Sequence, residues 1–323
     1  MTKYSFVLPA YKSTFLKEAI DSILAQTYQD FELIIVNDAS PENLDSIVQK
    51  YNDPRISYYV NEQNVGGIDL VAQWNHSISY AIGEYLILAS DDDVYLPTYL
   101  EKMDVLTQKY PLVNVYRPLI QHINENGEVK RQERTQPDYM SQLEFIYNWF
   151  KGLIASGIPY YMFKRDALMK VGGFKKFPLA WFSDDATVME LTDNGIAIYN
   201  EVLFSFRNSG INISSRKKDI SDLIKKMDAT DQFYIWFPQK IKEIQTKKDE
   251  APKALYLLNK YKCRERLHLT WLILDKTTFR CIVHGLQHLS RLNSLSKFDI
   301  CKIYYRVTRN VIKKWFMRIT NIQ

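Results

Sequence analysis

Residues 4–38 read YSFVLPAYKSTFLKEAIDSILAQTYQDFELIIVND. Two periodicities alternate within this stretch. Tyr4–Leu8 is a short apolar run. Thr14–Gln26 then places Phe15, Leu16, Ala19, Ile20, Ile23 and Leu24 at helical spacing, and Phe31–Val36 is a strongly apolar, β-branched run. Strands without a polar face are covered on both sides, and amphipathic helices between them are the means of covering. The stretch predicts strand, helix and strand in an open α/β layer with a parallel sheet.

The alternation continues outward. Residues 41–51 put Leu44, Ile47, Val48 and Tyr51 on one helical face, with Ser40 as the expected N-cap and Pro41 in the first turn. Ile56–Val60 reads as a third strand, Asp69–Ile82 as a third helix and Glu84–Ala89 as a fourth strand. From about residue 98 the pattern is mixed. Helices are expected over 98–109, 141–151 and 184–193, and strands over 112–123, 158–163, 196–199 and 202–206, with a hairpin turn at Asn124–Gly127. After about residue 216 every segment reads as helix. The expected division is therefore 1–215, an α/β domain, and 216–323, an all-helical extension.

Charge separates the same two parts. Of 42 Lys and Arg and 37 Asp and Glu, residues 240–323 hold 19 basic and 6 acidic, a net of +13, and the rest of the chain has a net of −8. An acidic body with a basic tail implies different partners for each. The cysteines, Cys263, Cys281 and Cys301, are odd in number and have no CxxC spacing, which excludes a disulfide framework and fits a reducing compartment. The apolar run at the N-terminus is too short for a signal peptide, and no run approaches the roughly eighteen residues of a spanning helix. A cytoplasmic protein is expected, with peripheral attachment to the inner face of the cell membrane as a further option.

In open parallel sheets, ligands bind beyond the carboxyl ends of the strands. That rule selects Pro9, Ala10 and Tyr11 after the first strand and Asn37 and Asp38 after the second. After the third come Asn64, Gly66 and Gly67, and after the fourth Ser90, Asp91, Asp92 and Asp93. Neither GxGxxG nor GxxxxGK[ST] is present, which argues against dinucleotide and P-loop binding. Three consecutive carboxylates repel one another unless neutralised, and Mg²⁺ typically joins one or two carboxylates to substrate phosphates. A solvated acidic loop is the plainer alternative. Asp184-Asp185, opening a helix, reads either as a cap or as a general base able to take a proton from a hydroxyl nucleophile.

Four stretches in order resolve these alternatives: FVLPAYKSTFLKEAIDSILAQTYQDFELIIVNDAS, NVGGIDLVAQWNHSISYAIGEYLILASDDDVYLP, KVGGF and WFSDDATVMEL. Together they resemble the family-2 nucleotide-sugar glycosyltransferases over about residues 4–210. The resemblance implies a GT-A fold, a Rossmann-like mixed sheet with helices on both faces. It also implies inverting transfer from a nucleotide diphosphate sugar, a uridine one in the first instance, to a polysaccharide or lipid-linked oligosaccharide. It assigns Tyr11 and Asp38 to the base, and Pro9 and Ala10 to the turn that meets the ribose. Asp91, Asp92 and Asp93 fall to the DxD motif and its Mg²⁺ or Mn²⁺, and Asp185 to the catalytic base. Asn64 and Gly67 either line the nucleotide or make the turn into the third helix. Two departures stand out: Asn37 where many members have Asp, and Ser90 where many carry an early Asp of the DxD region.

Competing readings are a nucleotidyltransferase acting on sugar phosphates and a silent sugar-binding scaffold subunit. PAYKST lacks the Gly- and Lys/Arg-rich loop expected of the first, and the intact acidic residues oppose the second. Arg207 reads equally as a diphosphate partner and as a surface ion pair. In the tail, Cys281, His284 and His288 share a helical face but lack a fourth ligand for zinc. Ile303, Val307, Val311, Trp315 and Ile319 recur every fourth position among basic residues, the pattern of a helix lying on an anionic membrane surface or packed on the body. Nucleic acid is not an expected partner, because no binding fold accompanies the basic residues.

Overall fold

The computed structural model describes residues 2–210 and 220–261, together with residues 298, 301, 305 and 309. The chain divides into two compact units: Met1–Lys176 with Ser183–Arg216, and Phe177–Phe182 with Lys217–Gln323.

The first unit opens with β1 (Tyr4–Ala10), α1 (Leu16–Leu24), β2 (Phe31–Asn37), α2 (Asp45–Val48), β3 (Ile56–Val60), α3 (Leu70–Ile78) and β4 (Tyr85–Leu88). β1 pairs in parallel with β2 from Tyr4↔Phe31 to Ala10↔Asn37, and on its other side with β4. Tyr4, Phe6, Val7, Leu8, Leu33 and Ile35 have no exposed surface, as strands covered on both faces require. Leu16, Ala19, Ile20 and Ile23 of α1 are buried beside them.

The second half adds β5 (Val94–Tyr95), α4 (Tyr99–Lys109), β6 (Val115–Asn124), β7 (Val129–Gln132), β8 (Tyr139–Met140) and α5 (Gln142–Lys151). It continues with β9 (Met162–Lys164), α6 (Arg165–Lys170), α7 (Ser183–Leu191) and β10 (Ile196–Asn208). The described strands form one mixed sheet in the order β3-β2-β1-β4-β9-β6-β10-β5, with β7 on β6 and β8 on β10. β9 runs antiparallel to both β4 and β6, so β6 and β10 point the same way as β1.

Local differences from the sequence reading have identifiable causes. α2 is only four residues long with Leu44 as its N-cap. Ser40 lies four residues before that cap, and its hydroxyl donates to the Tyr11 carbonyl at 2.6 Å and accepts from the Glu42 amide. The strand expected over 158–163 is a 3₁₀ turn, Ile158–Tyr160, followed by the short β9, and Pro159 has no N–H to give a ladder. Residues 196–199 and 202–206 belong to one strand, β10, whose register shifts between Tyr199 and Val202 absorb the polar Asn200-Glu201 pair. The hairpin turn forms as expected, with Gly127 at φ +79°.

The second unit contains α8 (Ile220–Glu243) and a further helix over residues 251–261. Within it the Phe182 ring stacks on Phe233 at 4.4 Å, and the Lys226 ammonium sits 3.6 Å above the Trp181 ring. No helix among the described residues is long and apolar enough to cross a membrane. Cys301 is an exposed free thiol. Cys263, Cys281, His284, His288 and the stripe of Ile303, Val307, Val311, Trp315 and Ile319 lie outside the described residues.

Candidate active site

The ends of β1, β2 and β4 are bound to one another by polar contacts. The Asp38 amide donates to the Ala10 carbonyl, extending the β1–β2 ladder by one residue beyond Pro9 and Ala10. The next residue, Tyr11, has its carbonyl held by Ser40, and the Tyr11 and Lys12 amides both donate to Asp91 Oδ2, at 2.9 and 2.8 Å. A carboxylate receiving two backbone N–H groups fixes the β1–α1 loop against the end of β4.

Asp38 is 5% exposed. Its Oδ1 accepts from Asn61 Nδ2 and the Val65 amide, both at 2.8 Å, and its Oδ2 accepts from the Gly66 amide at 2.7 Å. The carboxylate therefore shapes the β3–α3 loop and keeps about one lone-pair position for another donor. Gly66 is required for this approach, because a Cβ there would lie 2.8 Å from Asp38 Oδ2. Asn64 accepts from the Gly67 amide at 2.6 Å, so this pair builds the turn into α3. Asn37 does likewise for the β2 end, accepting from the Ser40 amide and donating to the Tyr58 hydroxyl.

The aspartate triplet does not act as a unit. Asp93 is 1% exposed, with Oδ1 accepting from the Arg207 amide and Oδ2 from the Ser90 hydroxyl. Burial and the Asp92 charge push its carboxyl up to about 8. Asp91 is turned toward the β1–α1 loop. Asp91 Oδ1 and Asp92 Oδ2 flank the Lys12 ammonium at 3.1 and 3.0 Å. Burial opposes that ammonium, but the Asp91 and Asp92 charges outweigh it and raise the Lys12 pKa. Among the described residues no three His, Cys, Asp or Glu side chains gather as a metal cage. Asp91 and Asp92 nevertheless fit a cation, since they already hold one, and Mg²⁺ needs few carboxylates when phosphates complete its shell.

Arg207 pairs with an acidic residue, Glu18, as one of its two readings expects, but its own guanidinium is buried. Its buried guanidinium donates to the carbonyls of Asp92, Asn124 and Glu125, meets Glu18 at 2.6 Å, and lies 4.4 Å from the Phe15 ring centre. The residue is a strut between β10, the acidic turn and α1.

Asp184 and Asp185 open α7. The Asp185 amide donates to Asp184 Oδ1 within the first turn, while Asp185 Oδ1 accepts from the Trp149 indole N–H at 2.6 Å. Desolvation and the Asp185 charge push Asp184 up to about 8. Trp149 lies near the end of α5, and the start of that helix bonds the end of α7 through Gln142 Nε2 and the Met189 carbonyl. The two helices are thus antiparallel. α7 is joined to β10 by the short turn Thr192–Asn194 and Gly195. Tyr160 and Tyr161 precede β9. Burial raises both phenols, with the Asp93 charge adding to the first and those of Asp185 and Asp184 to the second. The KVGGF loop is fixed nearby on α3, where Asn75 accepts from the Phe174 amide and donates to its carbonyl.

Residues 5–172 match the sequence profile of Glycosyl transferase family 2, over half of the chain. The chain belongs to that family. An uncharacterised glycosyltransferase of Rickettsia typhi is 39% identical over 98 residues, covering 30% of this chain and 29% of that protein. The putative colanic acid biosynthesis glycosyl transferase WcaA of Escherichia coli K12 is 38% identical over 128 residues, or 38% of this chain and 42% of the other. Each match thus takes in less than half of the relative's own length. TarS residues 1–349 of S. aureus, in complex with UDP-GlcNAc, superpose with a TM-score of 0.70 at 17% identity over 96% of this chain and 89% of that one. A mannosyltransferase from Pyrobaculum calidifontis, in complex with GDP-Man and Mn²⁺, gives 0.52 at 13% identity over 99% and 83%. The fold of this family-2 glycosyltransferase is GT-A. Sequence reasoning did not find Lys12, Asn61 or Trp149. Lys12 follows directly on a strand end and was within reach of the same rule. Trp149 looks like any core aromatic on an apolar helix face.

Proposed function

We propose that this glycosyltransferase moves a sugar from a nucleoside diphosphate sugar, a UDP-sugar, to a hydroxyl of a polysaccharide or lipid-linked oligosaccharide, with inversion at the anomeric carbon. The observation that carries the reading is Asp185: an acidic side chain at the N-terminus of α7, bonded by Trp149, with a charge that reaches Tyr161 while that of Asp93 reaches the adjacent Tyr160. A general base needs a fixed orientation and reach to the proton it removes. In this reading Asp185 takes the proton from the acceptor hydroxyl as its oxygen attacks the anomeric carbon. One displacement of this kind inverts the configuration.

Tyr11 and Asp38 hold the nucleotide base, Asp38 through the lone-pair position that the β3–α3 loop leaves. Pro9 and Ala10 bring the backbone to the ribose, and the turn of Asn64 and Gly67 borders the nucleotide. Asp92, with Asp91 beside it, holds Mg²⁺ or Mn²⁺, which when bound stabilises the negative charge of the departing diphosphate. The nucleotide-sugar complexes of TarS and of the Pyrobaculum enzyme support the donor class. Residues 1–215 form the catalytic part. The basic residues of 240–323 suit an anionic membrane surface on the cytoplasmic side, where a lipid-linked acceptor would lie.

Asp185→Asn tests the reading. Transfer falls below detection while donor affinity by calorimetry stays within about threefold of wild type, since no charge-assisted contact to the donor is removed. Collapse of donor affinity together with transfer makes Asp185 a binding residue and overturns the assignment.

A further inference from the structure

Lys12 has no part in the reaction just described, although its ammonium occupies the centre of the acidic turn. Among the described residues its bonding partners are Asp91 Oδ1 at 3.1 Å and Asp92 Oδ2 at 3.0 Å. The side chains of Asp91 and Asp92 are 7% and 6% exposed, and that of Lys12 is 18% exposed. Two carboxylates so far out of water need a counter-charge, and the ammonium supplies it. Arg207, the other cation at this turn, is bound to three carbonyls and Glu18.

A divalent ion cannot join these carboxylates while the ammonium remains between them, because two cations would compete for the same oxygens. Displacing the ammonium leaves it needing an anionic partner. Its four-carbon stem is flexible and partly open to solvent, and an ammonium is a well-suited point charge for phosphate. The backbone of Lys12 is meanwhile anchored, its amide donating to Asp91 Oδ2. The head group can therefore swing without the loop moving.

We propose that Lys12 is an internal counter-ion that couples divalent-cation binding to nucleotide binding. It neutralises Asp91 and Asp92 when no nucleotide is present, and it transfers to the diphosphate when the donor enters, freeing the carboxylates for the metal. This rests on the donor and metal reading given above. The coupling is reciprocal, so nucleotide tightens metal and metal tightens nucleotide by the same factor.

The test is a Mn²⁺ titration followed by electron paramagnetic resonance of the free ion, on wild type and Lys12→Gln, each with and without UDP. Wild type binds Mn²⁺ about tenfold or more tightly with UDP than without, on the scale of one charge-assisted hydrogen bond. In Lys12→Gln the affinity without UDP rises about tenfold and the effect of UDP shrinks to about threefold or less. Lys12→Arg, which keeps the charge, retains wild-type coupling and serves should the glutamine variant fail to fold. In EDTA, UDP binds Lys12→Gln about tenfold more weakly than wild type, again the scale of one such bond. Unchanged Mn²⁺ affinity without UDP in Lys12→Gln, or lost coupling in Lys12→Arg, overturns the role of Lys12 and leaves the metal reading intact. Absence of Mn²⁺ binding to wild type even with UDP overturns both.

Discussion

Asp38→Asn separates two roles that one carboxylate performs. Asp38 receives three hydrogen bonds, two on Oδ1 from Asn61 and Val65 and one on Oδ2 from Gly66. An asparagine has a single acceptor oxygen. Its better orientation places that oxygen toward Asn61 and Val65 and turns the NH₂ toward the Gly66 amide, donor against donor. One charge-assisted bond is lost, about 1.5–3 kcal/mol, and the other two become neutral contacts, for a total of roughly 2–4 kcal/mol. For a unit of this size each kcal/mol lowers the melting temperature by about 2–4 °C, so a fall of roughly 5–15 °C is expected by scanning calorimetry. UDP affinity falls by about tenfold or more, because the remaining anionic acceptor is gone. A melting temperature within a degree of wild type refutes the loop-fixing network. A lowered melting temperature with unchanged UDP affinity leaves Asp38 as a strut and refutes its contact with the base.

Trp149→Phe keeps most of the ring and deletes the indole N–H, so transfer slows by roughly tenfold to a hundredfold with donor affinity unchanged. Rates equal to wild type show that Asp185 needs no such orientation. Asp184, pushed up to about 8, binds its proton more tightly in the folded than in the unfolded chain. Its contribution is fully present below the ordinary carboxyl range near 4 and is lost as pH rises through about 8, so stability declines over that window, and Asp184→Asn flattens the decline in denaturant titrations at several pH values. Arg207→Met leaves three carbonyls without their donor and costs about 2–3 kcal/mol by denaturant unfolding, with little added by the half-exposed Glu18. A loss confined to UDP affinity returns Arg207 to the phosphates.

The first half of the sheet was legible because its strands are apolar on both faces. β1, β2 and β4 are buried as their sequences demand, and the strand-end rule led directly to Asp38 and the aspartate triplet. What the sequence hides is the use made of each oxygen. Tyr11 and Asp91 are 80 residues apart, and Arg207 and Asp93 are 114 apart. No local pattern indicates that Asp91 is satisfied by loop amides, or that Asp93 is turned inward. Ser40 illustrates the same limit at small scale. It has the composition of an N-cap and the position of one, but its hydroxyl bonds Tyr11 and Glu42, and α2 starts only at Asp45.

These hidden contacts follow one rule. Four of the six carboxylates that the sequence nominates are structural acceptors: Asp38 for the β3–α3 loop, Asp91 for the β1–α1 loop, Asp93 for β10, Asp184 for the start of α7. Asp92 and Asp185 differ from these four. Asp92 accepts from Ser90 beside it and faces the Lys12 ammonium, and Asp185 accepts from the Trp149 side chain. Carboxyl groups that fasten backbone cannot turn toward a ligand without loosening a loop, whereas those held by side chains can exchange those partners. The chemistry is expected where exchange costs least, at Asp92 and Asp185, with the surrounding acids keeping the strand ends fixed while it occurs. Charge-neutral replacements at Asp38 and Asp91 should therefore lower the melting temperature as well as nucleotide affinity. The same replacements at Asp92 and Asp185 should leave the melting temperature within a few degrees while stopping transfer. Equal destabilisation at all four positions would refute the division.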